Sequence, residues 1–332
     1  ALCHAFVPVS PCPSHGVATV AIEAIGSAPV DLPPGAVLAG RYRVDSVLGE
    51  GASGRVYAAT QLSLNREVAI KVLKRPRGGG PIDVARLHQE ALVVSRLSSQ
   101  SVVLVYDFEV DGATGTAFLV LERLVGRTLA EELLACRALP MARAMSFAAQ
   151  IADGVGCAHA EGLLHRDLKP ANVFIAGELA KVMDFGLAFG VAADPQDASA
   201  SLPEAPGVGT PLYMAPEQVM GGALGAATDL YGLGCVLHEM LAGCPPFVGA
   251  AARDAMALHV VGQAPTLPAP LPYGEHAPDA LVRLHRSLLA KNAEDRPRSA
   301  GEVGQALRAI LGALEGAGRP GPAPVQDALV LA

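Results

Sequence analysis

Asp167, Lys169 and Asn172 share a span of six residues inside His165-Arg166-Asp167-Leu168-Lys169-Pro170-Ala171-Asn172. Twelve residues after Asn172 comes Asp184-Phe185-Gly186. Together they offer a carboxylate that can receive a hydroxyl proton and a lysine that can neutralise phosphate. They also offer two oxygen ligands for magnesium, a hard cation. This is the equipment for moving a phosphoryl group from ATP to an alcohol. A lone Asp-Phe-Gly would mean little; the order and distance of the two segments make the signal specific.

Further upstream, Leu48 leads into Gly49-Glu50-Gly51-Ala52-Ser53-Gly54-Arg55-Val56, which fits G-x-G-x-x-G-x-V. Glycines let backbone amides approach phosphate oxygens with no side chain in the way. The loop leads into a strand rather than a helix, which disfavours a dinucleotide-binding turn, and it lacks the G-K-[ST] ending of a Walker loop. Lys71, in Val68-Ala69-Ile70-Lys71, follows 17 residues after Gly54, and Glu90 comes 19 residues after Lys71. Glu90 lies among Leu87, Ala91 and Val94, on or beside the apolar face of a predicted helix. A carboxylate there benefits from a cationic partner, because an unpaired buried charge is costly. Glu67 competes with Glu90 for Lys71.

These residues need a scaffold, and the pattern supplies one. Alternation predicts strands around Tyr42–Val47, Arg55–Ala59, Glu67–Leu73, Val102–Phe108 and Ala117–Leu121. Helical spacing predicts helices over Asp83–Leu97, Leu139–His159, Asp229–Leu241, Ala280–Ala290 and Ala300–Leu314. The chain is thus β-rich with one helix before Glu122 and helical after it, an α+β arrangement of two lobes. The N-lobe is expected over 37–121, a hinge over 122–126 and the C-lobe over 127–315. Residues 1–36 read as a flexible extension and 316–332, rich in Gly and Pro, as a disordered tail.

Composition narrows the classes. Hydrophobic residues reach 51% and charged residues 17%, which is a folded protein rather than a disordered one. A net charge of −7 argues against nucleic acid as the main partner. No apolar stretch is long enough to cross a membrane, and the N-terminal residues lack the basic leading region of a secretory signal. The six cysteines form no C-x-x-C pair, so they read as buried thiols in a reducing, cytoplasmic setting rather than as zinc ligands.

The motifs resemble those of the bacterial-type (Hanks-type, eukaryotic-like) serine/threonine protein kinases over about residues 41–311. The resemblance implies a bilobal protein kinase fold, with ATP and Mg2+ as cofactors and Mn2+ as a substitute. It implies protein substrates with Ser or Thr hydroxyls, the chain itself included, and so a pairing of two copies for autophosphorylation. Asp167 then orients the hydroxyl and accepts its proton, and Lys169 stabilises the transferring phosphate. Asn172 and Asp184 hold the metal, and Lys71 holds the phosphates in partnership with Glu90. The adenine pocket is closed by Val56 and Ala69 above and Phe174 below. The backbone near Glu122–Leu124 supplies hydrogen bonds, with Leu121 as gatekeeper. His165 and Phe185 belong to an apolar column with Val94 and Val105, standing on Asp229. Gly209-Thr210-Pro211-Leu212-Tyr213-Met214-Ala215-Pro216-Glu217 resembles a substrate-docking loop, in which Thr210 bonds near Asp167 and Lys169 and Glu217 pairs with Arg296.

The match departs from the family at two places. Arg166 implies a switch operated by a phosphorylated loop residue. Yet residues 184–217 offer only Ser199, Ser201 and Thr210 as acceptors. Glu204 as a standing negative charge, or Ser201 when phosphorylated, is expected to meet Arg166; the alternative is a loop with no switch. Ala171 and Thr128 stand where basophilic relatives carry acidic residues, so no strong preference for upstream arginine is expected. Two rival classes stay open: a pseudokinase scaffold acting through protein contacts, and a small-molecule phosphotransferase of kinase-like fold.

Overall fold

The computed structural model describes residues 31–50, 54–73, 84–185, 211–249 and 251–317. The N-lobe is a six-stranded antiparallel sheet of β1 (Val37–Leu38), β2 (Tyr42–Glu50), β3 (Gly54–Gln61), β4 (Arg66–Leu73), β5 (Val105–Val110) and β6 (Ala117–Glu122), in the order β1-β2-β3-β4-β6-β5. Side chains alternate between the two faces. Tyr57 of β3, Val68, Ile70 and Val72 of β4 and Phe118 and Val120 of β6 meet Leu38, Tyr42 and Val44 on one face. On the other, Leu73, Ala91, Ala117 and Leu119 form a second cluster. Ala91 belongs to α1 (Val84–Ser95), the helix that covers that face. Lys71 points to this covered side, which is why a strand lysine here is only 4% exposed.

The C-lobe is built around α5 (Ala226–Ala242). From Thr228 to Leu241 every residue of α5 except Glu239 is buried. A helix apolar all round is a core helix, and α3 (Met141–Ala160) packs against both α5 and α8 (Ala300–Ala317). The remaining helices are α2 (Leu129–Cys136), α4 (Pro216–Val219), α6 (Ala252–Val261) and α7 (Asp279–Leu288). A three-stranded sheet of β7 (Arg127–Thr128), β8 (Val173–Ala176) and β9 (Leu179–Val182) runs in the order β7-β8-β9. It carries the two segments that bracket the chemistry: β8 begins directly after Asn172, and β9 runs out toward Asp184.

Several boundaries differ from expectation. The folded part begins ahead of residue 37: Leu32 is buried in the N-lobe core and its amide donates to the Tyr57 hydroxyl at 3.3 Å. At the other end α8 runs to Ala317, two residues past the expected limit. Residues 1–30 and 318–332, where the extension and tail were expected, lie outside the described residues. The strand expected over Val102–Phe108 is displaced to Val105–Val110. Ser101 and Val103 instead bond to Val182 of β9, at 2.8 and 2.9 Å, so the apolar run joins the lobes rather than the sheet. Of the cysteines, Cys235 is buried, and burial pushes its thiol pKa up. Cys136 and Cys157 are only partly buried and Cys244 is exposed, so the reading of all six as buried thiols does not hold.

Candidate active site

The catalytic loop hangs from the start of α5. Asp229 is 1% exposed, and its two oxygens accept the backbone N–H of His165 at 2.9 Å and of Arg166 at 2.7 Å. His159 Nε2 of α3 meets the same carboxylate at 2.7 Å. This grip explains how Arg166 holds a φ of 64°, a conformation that L side chains rarely adopt. Gln218 of α4 adds a bond from its side-chain amide to the Arg166 carbonyl at 2.7 Å.

His165 stacks edge-on against Phe185, ring centroids 4.9 Å apart, and both are about 1% exposed. Val94 joins Phe185 in the same core cluster, with Val105 packed against it. His165 Nδ1 accepts the Asp167 amide at 3.2 Å, so Nε2, 3.0 Å from the Met183 carbonyl, carries the proton. Both ring nitrogens are engaged by backbone, which removes this histidine as a base.

Asp167 is half exposed. Its Oδ2 accepts from Lys169 Nζ at 2.6 Å and from Asn172 Nδ2 at 3.1 Å. Asn172 also donates to the Asp167 carbonyl at 2.7 Å, which fixes the amide with its oxygen turned to the other side. Across the cleft, Lys71 Nζ donates to Asp184 Oδ1 at 2.6 Å. Asp184 is itself at φ 66°. Glu67, the expected competitor, is exposed at the start of β4, four residues and so roughly 13 Å along a strand from Lys71. Glu90 lies in α1, but its side chain lies outside the described residues.

The nucleotide side is built by β2, β3 and β4. Gly49 pairs with Val56 and Glu50 with Arg55, whose guanidinium donates to Glu50 at 2.7 Å. Leu48 is exposed. Gly51, Ala52 and Ser53, at the tip of this loop, lie outside the described residues. Gly54 has a local reason as well as a phosphate one. At φ 158° a Cβ would collide with the Val72 carbonyl of the neighbouring strand. Ala69 pairs with Ala58 on one side and with Leu121 on the other, so roof and gatekeeper share an edge. Below, Phe174 in β8 is half-buried; a Cβ on Gly126 would come to 3.0 Å of its ring and collide with the Ile175 carbonyl. The Glu122 carboxylate is not spare: Lys181 Nζ of β9 donates to it at 2.7 Å and the Leu104 amide at 2.8 Å. Leu124, partly buried, accepts at its carbonyl from Arg123 at 2.7 Å.

On the docking side, Glu217 and Arg296 make a two-pronged ion pair at 2.7 and 2.9 Å. Arg296 is 5% exposed and also donates to the carbonyls of Ala227, Ala290 and Lys291. Burial works to raise the Glu217 pKa, but the bonds from Arg296 and Thr228 outweigh it and hold the group below its ordinary value. Ser201, Glu204 and Thr210 lie outside the described residues. The structure thus brings Asp167, Lys169 and Asn172 together, and faces them with Asp184 and Lys71. Lys181 and Gln218 carry no local signal in the sequence for their distant partners, Glu122 and the Arg166 carbonyl. Thr128, besides its expected bearing on specificity, caps α2. Its hydroxyl accepts the Glu131 amide while Glu131 accepts the Thr128 amide, a helix-capping box written openly as Thr-x-x-Glu.

The protein kinase domain family model matches residues 42–307, which takes in every residue of this site. The chain belongs to the protein kinase family. Within it the kinase sits among the bacterial Hanks-type serine/threonine kinases. It is 37% identical over 306 residues to the serine/threonine-protein kinase pkn2 of Myxococcus xanthus, covering 88% of this chain and 35% of that protein. It is 38% identical over 272 residues to the DNA damage-responsive serine/threonine-protein kinase RqkA of Deinococcus radiodurans, covering 81% of this chain and 39% of that one. The Mycobacterium tuberculosis PknI kinase domain superposes with a TM-score of 0.62 at 26% identity, over 85% of this chain and all of that one. The kinase therefore spans well under half the length of these two curated relatives, whereas it matches the isolated PknI domain whole. Membership in this family implies the use of ATP and a divalent cation. Among the described residues no helix is long and apolar enough to cross a membrane.

Proposed function

We propose that this chain transfers the γ-phosphoryl group of MgATP to serine and threonine hydroxyls of proteins, including a second copy of itself. The observation that carries the reading is the Asp167 carboxylate. Lys169 and Asn172 hold its Oδ2, while no described residue donates to Oδ1. A substrate hydroxyl at Oδ1 is oriented for attack and gives up its proton there as its oxygen bonds to phosphorus. The leaving group is ADP. Lys169, 2.6 Å from that carboxylate, lies where charge on the moving phosphoryl group needs a cation.

Asn172 and Asp184 fit a hard divalent cation: both present oxygen, and the Asn172 amide is already turned with its nitrogen toward Asp167. When bound, the metal neutralises phosphate charge. Mg2+ is the assigned ion and Mn2+ a substitute. Lys71 steers the α- and β-phosphates, with Glu90 as its assigned partner. Leu48 to Gly54, Val56, Ala69, Phe174 and the Glu122–Leu124 backbone enclose the nucleotide. An ATP-dependent reaction points to the cytoplasm as its compartment.

Label transfer from γ-labelled ATP to the chain itself and to casein tests this, with Asp167→Asn beside it. Transfer to both that collapses in Asp167→Asn is the expected result. Transfer untouched by the substitution overturns the mechanism, and transfer absent from both proteins favours a pseudokinase scaffold. Chelating the metal abolishes the reaction, and added Mg2+ restores it.

A further inference from the structure

Beside Lys169 the surface opens into a cleft of roughly 740 Å³ between α2, the catalytic loop, the docking segment and α5. Its walls are mainly apolar: Ala130, Leu133 and Leu134 from α2, Pro170 and Ala171 from the catalytic loop, and Leu212 from the docking segment. Leu134 is 86% exposed while its neighbour Leu133 is 5% exposed. Single exposed leucines are ordinary. This one lines a concave surface that reaches a residue in contact with Asp167.

That continuity identifies the occupant. Lys169 lines the cleft and also bonds Asp167. An extended chain advances only ~3.3 Å per residue, so a protein segment with its hydroxyl at Asp167 lays its near neighbours in the cleft. Charge then decides what those neighbours are. Arg137, exposed at the end of α2, contributes positive charge, while Lys169 is already paired with Asp167. Glu239 is the one carboxylate among the described lining residues, and the Tyr213 hydroxyl donates to it at 2.6 Å. Burial raises the Glu239 pKa, which the Tyr213 bond partly opposes. A cationic neighbour finds the carboxylate already engaged and a guanidinium opposing it.

We propose that this cleft selects protein substrates by a large apolar side chain, of the leucine, methionine or phenylalanine type, near the phosphoacceptor, and disfavours arginine there. The proposal rests on the reading of the chain as an active protein kinase, and it supplies the substrate class that reading lacks.

The test is a positional library of serine peptides with Ala, Leu, Phe, Met, Glu or Arg at each flanking position, run with casein as a reference substrate. At one position at least, the leucine peptide is expected to exceed the alanine peptide about tenfold in kcat/KM, the scale of burying one such side chain. Arginine there does no better than alanine. Leu134→Glu, on an exposed position, brings the leucine-to-alanine ratio down to about one and raises the arginine peptide. Leu64→Glu, in the turn between β3 and β4, leaves the ratio where it was. A flat library with casein still labelled overturns the cleft and spares the kinase reading. Dominant arginine in the native protein also overturns it, handing the subsite to Glu239. Absence of label on casein as well overturns both.

Discussion

The two lobes reach the site by different means. The C-lobe hands over Asp167, Lys169 and Asn172 on a loop whose backbone is pinned to a buried carboxylate on a core helix. Its docking side is pinned in the same way by Glu217 and Arg296. The N-lobe sends Lys71 to Asp184 from a strand whose other face forms a separate core. In the C-lobe, the positioning of the chemistry and stability share residues. In the N-lobe they are split between two faces of one sheet. Substitutions of equal violence must therefore read out differently.

The largest expected effect falls on rate alone. Asp167→Asn keeps the bonds to neighbours but removes the proton acceptor, so turnover drops about 10²–10⁴-fold. The side chain is half exposed, so the melting temperature of the variant stays with the parent. A shared fall in both would show that Asp167 itself, and not only the Asp229 grip on its loop, carries stability.

Arg296→Met attacks the C-lobe where both properties meet. It strands the Glu217 carboxylate in a buried site, which costs about 3–5 kcal/mol. Thermal or urea unfolding is the measure, with activity falling alongside. Lys71→Met is the N-lobe counterpart. Losing one preorganised cation is worth about 10²–10³ in rate, with little change in unfolding. Comparing these two variants by the same pair of measurements is the sharpest test of the difference between lobes.

A smaller effect follows pH. His238 of α5 and His285 of α7 are buried 2.9 Å apart, and burial holds their pKa values to about 4 and about 3 against an ordinary 6.5. Below pH 6.5 the unfolded chain takes up protons that the folded chain refuses. The stabilisation is therefore complete above about pH 6.5 and declines as pH falls toward 4. The loss is on the order of 3 kcal/mol for each histidine over that window. Unfolding at stepped pH shows the slope, and His238→Leu flattens it. The smallest effect concerns the segment outside the described residues: Glu204→Ala lowers activity a few-fold if Glu204 is the standing partner of Arg166 (order of magnitude for an exposed pair). Full activity in that variant, with Ser199 and Ser201 unmodified by mass spectrometry, would remove both proposed partners.

What could be read in advance follows the same physical divide. Asp167, Lys169, Asn172 and Asp184 were legible because their chemistry demands those residue types at close spacing. The long strands and helices were legible through period. The sheet β7-β8-β9 was not, since strands of two to four residues carry too few alternations to register. Helix α2 escaped although its capping box stood in plain view at Thr128 and Glu131. The grip of Asp229 and the pairing of Glu217 with Arg296 join positions 63 to 79 residues apart. No local pattern announces such pairs; only the family resemblance suggested them. Lys181 with Glu122 had not even that signal, and the folded arrangement alone shows it.

The bonds from His165 and Arg166 to Asp229 have a consequence for hydrogen exchange. Both amides sit in a loop, where exchange is normally fast. Here each is capped by a carboxylate that only the opening of α5 can release. Their protection should match that of the core helix rather than that of their loop neighbours. The most reactive part of the surface would then rank, by this measure, with the slowest part of the interior.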